Sequence, residues 1–213
     1  MDSFDATRAV VERYAPSLGV DGIAVAVIVT AAIRDLVYSS DDVATRIDEL
    51  QFTLGTGPCL DAFRSEQTMI SMVGTDEGSP WPLFDDAVRA LDVGAVFAVP
   101  VGTEPTVGVL ELYRRDAHPW SPVTAARAAR CAGELASAVR RDVAGVGDDA
   151  ADDPLSRASV HVAAGMMAAR FRITADEAVV RLRSLAYADG IRVTQLADDI
   201  VARRVELTDA LLD

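Results

Sequence analysis

Residues 159–204 place apolar side chains at helical spacing three times in succession, with a stop signal after each run. In the first run, Val160, Ala163, Met167 and Phe171 recur every three or four residues and share one face. The second opens with Thr174 three residues ahead of Glu177, a capping box in which each side chain satisfies an amide left over at the helix start. Its inner stripe is Ala178, Leu182, Leu185 and Ala186, and Gly190 ends it because glycine enters the left-handed conformation without a Cβ penalty. Thr194 is positioned to cap a third helix with the stripe Leu196, Ala197, Ile200 and Val201. Three short helices, none able to bury its stripe alone, predict a small all-α unit.

The opposite face of the second helix carries the chemistry. Arg183 and Tyr187 are i and i+4, so they stand side by side, away from the buried stripe. A guanidinium next to an exposed ring can hold a phosphate and stack on an unpaired base. The same spacing equally describes a solvated arginine beside a half-buried tyrosine. Arg181 flanks the stripe on another side, Arg192 lies in the following turn, and Arg203 and Arg204 end the third helix, where a cation also suits the helix dipole.

The ordered text A-x-G-M-M (163–167), D-E-A-x-x-R-L-R-x-x-A-Y-A (176–188) and L-A-x-x-I-V-A-R-R (196–204) resembles the ANTAR domain. That family is a three-helix RNA-binding module of transcription antitermination regulators. The resemblance implies an RNA hairpin as partner, with Arg183 and Tyr187 as first contacts, then Arg192 and Arg181, and the terminal pair Arg203 and Arg204 last. Many relatives carry a lysine just before the glycine of the first helix; Ala164 stands there in this chain. That places it with the branch in which a small residue takes the position, often behind a GAF sensor domain.

Charge separates the rest of the chain from this unit. All 20 basic residues are arginines, against 33 acids, for a net charge of −13. Residues 154–213 hold eight arginines and eight acids and so net zero, whereas residues 1–153 carry the whole excess. Such a balance excludes a protein that coats nucleic acid non-specifically. Between the two lies VGDDAADDP, an acidic Gly/Asp/Pro stretch that reads as a linker. The expected division is 1–145, a linker at 146–154, and 155–213.

Residues 3–15 predict a helix with Phe4, Thr7, Val10, Val11 and Tyr14 on one side. GIAVAVIVT, residues 22–30, is too short for a typical core helix and predicts a central strand buried on both faces. Residues 33–39 predict its hairpin neighbour, and Asp41 or Asp42 caps a helix running through Ile47 and Leu50. Phe52 to Phe63 contains Gly55, Gly57 and Pro58, a tight bend with proline suited to the first turn of a short helix. Cys59 at that helix start has two readings, a thiol of lowered pKa or a buried structural cysteine. Strands follow at 68–73, 95–101 and 106–113, with a helix at 83–91 between the first two. Ser121 and Pro122 then start a long alanine-rich helix to about Asp142. Antiparallel neighbours with helices before and after them define an α+β fold.

The leading helix, GIAVAVIV, ELQFTLGTGPCLDAF (49–63), AVFAVP (95–100) and VGVLELY (107–113) together resemble a GAF domain over roughly residues 5–142. Thr56 stands where relatives commonly carry an acid. This resemblance implies a central antiparallel sheet flanked by helices, with a small-molecule ligand possible on one face. The complete expectation is a GAF-like sensor followed by an all-α ANTAR unit, a cytoplasmic regulator of transcription antitermination. A DNA-binding helix-turn-helix regulator is the alternative, since the last two predicted helices and their glycine-containing turn also fit that motif; a protein-interaction module is a third.

No uninterrupted apolar run approaches the ~18 residues of a membrane span, and the N-terminus lacks a signal peptide's basic start. Cys59, Cys131, His118 and His161 fall at no metal-ligand spacing, and no nucleophile motif appears, so neither a metal, a cofactor nor an enzymatic activity is expected. The small residues of the long helix, among them Ala125, Ala129 and Gly133, predict a homodimer through it or through the first C-terminal helix.

Overall fold

A computed structural model describes residues 4–28, 34–74, 79–103, 105–145 and 157–208. The acidic linker expected at 146–154 lies outside the described residues. The first helix, α1, spans Asp5–Leu18 and ends on Gly19 in the left-handed conformation. Strands β1 (Gly22–Ile28) and β2 (Arg34–Ser39) pair antiparallel with a bulge between Val25 and Ala26. Helices α2 (Asp42–Leu54) and α3 (Pro58–Ser65) precede strand β3 (Met69–Met72) and helix α4 (Pro82–Arg89). Strands β4 (Ala95–Val101) and β5 (Gly108–Arg114) complete a five-stranded antiparallel sheet in the order β2-β1-β5-β4-β3. Helix α5 (Pro122–Gly145) follows, started by Ser121, whose hydroxyl accepts from the Thr124 amide at 3.0 Å.

The strands read as continuous apolar runs because both faces of the sheet are covered. On one face Ile23, Val25, Phe97, Val99, Leu110 and Leu112 pack against α1 and α5. On the other, Ala24, Ala26, Val96, Ala98, Val109 and Tyr113 pack beneath α2, α3 and α4. Gly108 is needed where β5 crosses β1: a Cβ there would sit 2.1 Å from the Ala26 carbonyl oxygen. The end of α5 closes on the start of α1, where Asp142 accepts the Ala6 and Thr7 amides at 3.2 and 2.7 Å. A carboxylate at a helix N-terminus satisfies orphan amides and meets the positive end of the dipole.

Helices α6 (Ala158–Phe171), α7 (Ala175–Ala188) and α8 (Val193–Val201) form the C-terminal unit. The Thr174–Glu177 capping box forms as expected. Gly190 has φ +64°, one residue beyond the Asp189 cap. The third helix starts earlier than the sequence predicts. Arg192 occupies the N-cap position with no side-chain cap bond, and Thr194 lies inside the first turn. Val193 at the helix start is buried, and that anchors it without a hydroxyl cap.

The core of this unit includes Val160, Met167, Leu182, Leu196 and Ile200, and also Phe52 of α2. Sequence alone places Phe52 in a bend; it lies in the last turn of α2, fully buried in the core of the other unit. Leu182 is fully buried, so Leu182→Ala should cost about 2–5 kcal/mol in the full chain, measured by chemical denaturation. An unchanged midpoint would mean the side chain bears no packing load.

Beneath α2, the sheet presents Glu111, 4% exposed. Gln51 donates through Nε2 to Glu111 and accepts the Cys59 amide at 2.7 Å through Oε1. Burial raises the Glu111 carboxyl from an ordinary 4.5 to about 7, against the pull of the Gln51 hydrogen bond and the Arg34 charge. Burial likewise pushes the Cys59 thiol up to about 11, so the reading of a helix-start thiol with lowered pKa is overturned. A carboxyl whose pKa is raised by folding stabilises the fold below its unfolded value, and this contribution is lost as pH rises through the folded value. Stability should therefore fall by up to about 3 kcal/mol between pH 4.5 and about 7 from this group. Glu111→Gln should flatten that part of the stability profile in denaturant titrations at stepped pH.

Candidate nucleic-acid interface

Helix α7 positions Arg183 and Tyr187 one turn apart, as its periodicity predicts, but the two side chains have different fates. Tyr187 is exposed at 58%, as are Val180 on the same strip and, across from them, Leu83 of α4 at 55%. Arg183, expected to project to solvent, instead lies over the Phe52 ring with its guanidinium carbon 4.6 Å from the centroid. Burial and the nearby Arg34, Arg157 and Arg64 charges lower its pKa to about 10, so it remains cationic at neutral pH. Helix α2 packs on α7, so the face left over from the helical core is not all solvent-facing.

Phe52 gathers further guanidiniums. Arg157, just ahead of α6, stacks at 4.1 Å from the centroid, and Arg34 of β2 approaches to 6.0 Å. Asp48 of α2 lies between these two and pairs with both, one oxygen to Arg34 and the other to Arg157. All three side chains are buried. The Arg157 amide also donates to Asp35 at 2.8 Å, and its Nη1 donates to the Arg34 carbonyl at 3.3 Å. Burial is the first cause holding Arg157 down to about 10, and it lowers Arg34 as well. Sequence reasoning missed Arg34, Asp48, Phe52 and Arg157 altogether. A lone arginine beside a strand or a linker carries no signal of burial.

The remaining candidates spread over several surfaces. Arg192 is exposed but pairs with Glu49 of α2 at 3.2 Å. Arg181 is half-buried on another side of α7. Arg203 and Arg204 lie just past the end of α8 instead of within it; Arg203 has φ +56°, and Arg204 donates to Asp199 at 2.6 Å. Arg183, Tyr187 and Arg192 therefore border the contact with α2, whereas Arg203 and Arg204 follow α8. Ala164, at the position where many relatives carry lysine, is buried at 2%, an environment that suits a small apolar side chain.

Among the described residues, no helix is long and apolar enough to cross a membrane, and no group of three or more His, Cys, Asp or Glu is placed to hold a metal ion.

Residues 148–201 match the ANTAR domain family. No curated protein matches the chain. Solved structures resemble its N-terminal part. One is a domain from Sinorhizobium meliloti, of a protein assigned as a two-component sensor histidine kinase. It has 15% identity and a TM-score of 0.50 over 66% of this chain and 92% of that one. Another is the GAF domain region of a protein from Geobacter sulfurreducens assigned as a membrane protein. It also has 15% identity and a TM-score of 0.50, over 64% of this chain and 94% of that one. At this identity the likeness concerns fold alone. The chain thus carries a domain with the GAF fold followed by an ANTAR domain.

Proposed function

We propose that this protein is a signal-responsive regulator that binds an RNA hairpin in a nascent transcript and promotes transcription antitermination. The observation that carries the reading is the ANTAR match at residues 148–201 behind a domain of GAF fold. Tyr187 is the base-stacking residue of this reading, with Arg183 beside it holding phosphate, and Arg192, Arg181, Arg203 and Arg204 as further cations. RNA that uses Arg183 or Arg192 competes with α2, which engages both in the conformation described.

The helix-turn-helix alternative has one observation in its favour, since α7 and α8 are joined by the four residues 189–192 including Gly190. Against it, α8 would be the recognition helix, and its outer side carries Asp198 exposed and Asp199 paired to Arg204. Carboxylates on that side repel a phosphate backbone.

The protein acts in the cytoplasm in this reading, and as a homodimer. Helix α5 buries Ala128, Ala132 and Ala136 against its own domain and leaves Ala126, Ala129 and Gly133 exposed for a second copy. Light scattering at micromolar concentration should give twice the chain mass; a monomer mass would remove the dimer from the proposal.

Because Tyr187 is exposed, Tyr187→Ala tests RNA contact without disturbing the fold. It should weaken hairpin binding by about 1–3 kcal/mol, or roughly fivefold to 150-fold. Binding should also weaken as salt rises. Gel shifts with hairpin RNA and with duplex DNA of matched length measure both. Equal affinity of wild type and the folded variant would remove this face from the reading, and preference for duplex DNA would favour the alternative.

A further inference from the structure

Between the sensor and the effector lies a cleft of about 660 Å³, within the size range of small-molecule sites. The sensor contributes Leu54 at the end of α2, Arg64 of α3 and Leu83 of α4; the effector contributes Val180, Arg183 and Tyr187 of α7. Under the sheet, by contrast, Gln51, Cys59 and Glu111 are buried and linked by hydrogen bonds.

We propose that this cleft binds a small organic anion with a planar, apolar body, held by both domains at once. The apolar part of the site is unusual for a surface. Leu83, Val180 and Tyr187 are each more than half exposed and face one space. Such surface is costly to leave in water and gains when a flat apolar body covers it.

The charge in the wall selects an anion. Arg64 and Arg183 both line the cleft, with Asp176 as the one acid among the lining residues. Among the described residues Arg64 pairs with Asp61, at 3.4 Å, and is half exposed, so it can turn to a ligand. Behind them stand Arg34 and Arg157 with Asp48 between them. The cleft lining itself carries two cations against one acid, in a protein that carries −13 overall. The Gly55 turn lies beside the Arg183 guanidinium, and the Phe52 ring beneath that cation keeps it at the cleft wall.

A ligand spanning the cleft ties α3 and α4 to α7, so it strengthens the docked arrangement of the two domains. It also covers Arg183 and Tyr187. If the RNA reading above holds, ligand and RNA exclude one another, and the cleft is where a signal is read by the effector directly. This last consequence rests on that reading; the site itself does not.

The test uses the full chain and no RNA, so its failure is separate from failure of RNA binding. Anilinonaphthalene sulfonate supplies a planar apolar body with one anionic group, and phenylnaphthylamine is its uncharged counterpart. Titrations followed by dye fluorescence compare wild type with Arg64→Gln and Val180→Asp, both at exposed side chains, with circular dichroism melting to confirm the fold. The sulfonate should bind one per chain and raise the melting temperature. Each substitution should weaken it at least about tenfold, and the uncharged dye should bind wild type and Arg64→Gln equally. No saturable binding of the sulfonate to wild type, binding unchanged in both folded variants, or equal loss of both dyes in Arg64→Gln would each overturn the proposal.

Discussion

Asp48 holds two buried guanidiniums at once, Arg34 from the N-terminal domain's sheet and Arg157 from the approach to the first C-terminal helix. Taking three charges out of water costs several kcal/mol per ion, and only mutual pairing with good geometry offsets it. Removing any one member would strand the others. The contact is therefore conditional on both domains being in place, which a purely apolar interface would not be. Phe52 supplies the apolar half, its ring buried in the core of the C-terminal helices with arginines against it. The two domains share a core residue as well as a charge network, and α2 serves both.

This arrangement bears on the proposed function because of where it falls on the C-terminal unit. Of the side chains proposed to meet RNA, Arg183 and Arg192 are engaged by Phe52 and Glu49 of α2, and Tyr187 stands at the edge of the same contact. The acidic N-terminal domain would also oppose an approaching phosphate chain over the distance of a Debye length, roughly 10 Å at moderate salt. Packing and long-range charge thus act in the same direction. Any signal that loosens α2 from α7 would part Arg183 from Phe52 and Arg192 from Glu49 together, since Glu49 and Phe52 lie on one helix.

Much of the architecture was legible in the sequence through local rules. The capping box at Thr174, the turn at Gly190, the strand pair around residues 22–39 and the serine-capped helix at 121 each depend on neighbours within a few residues, so they survive folding intact. Misplaced details had non-local causes. Thr194 looked like a cap, but burial of Val193 sets where α8 begins. Cys59 sits at a helix start, where a dipole would favour thiolate, yet complete burial under the sheet outweighs the dipole. Phe52 looked like loop because two glycines follow closely, and it closes a helix instead.

The sequence by itself determined the element order, the α+β domain ahead of a three-helix unit, and most of each C-terminal helix's buried stripe, though Val201, expected in the third stripe, is 39% exposed. Periodicity, caps and turn residues encode these within single segments. Only tertiary structure decided that α2 docks on α7, that Asp48 bridges arginines 123 residues apart in the chain, and that Arg183 leaves solvent for an aromatic ring. A guanidinium has the same helix propensity and spacing whether it meets water, phosphate or phenylalanine. Its environment is set by what the rest of the chain brings to it.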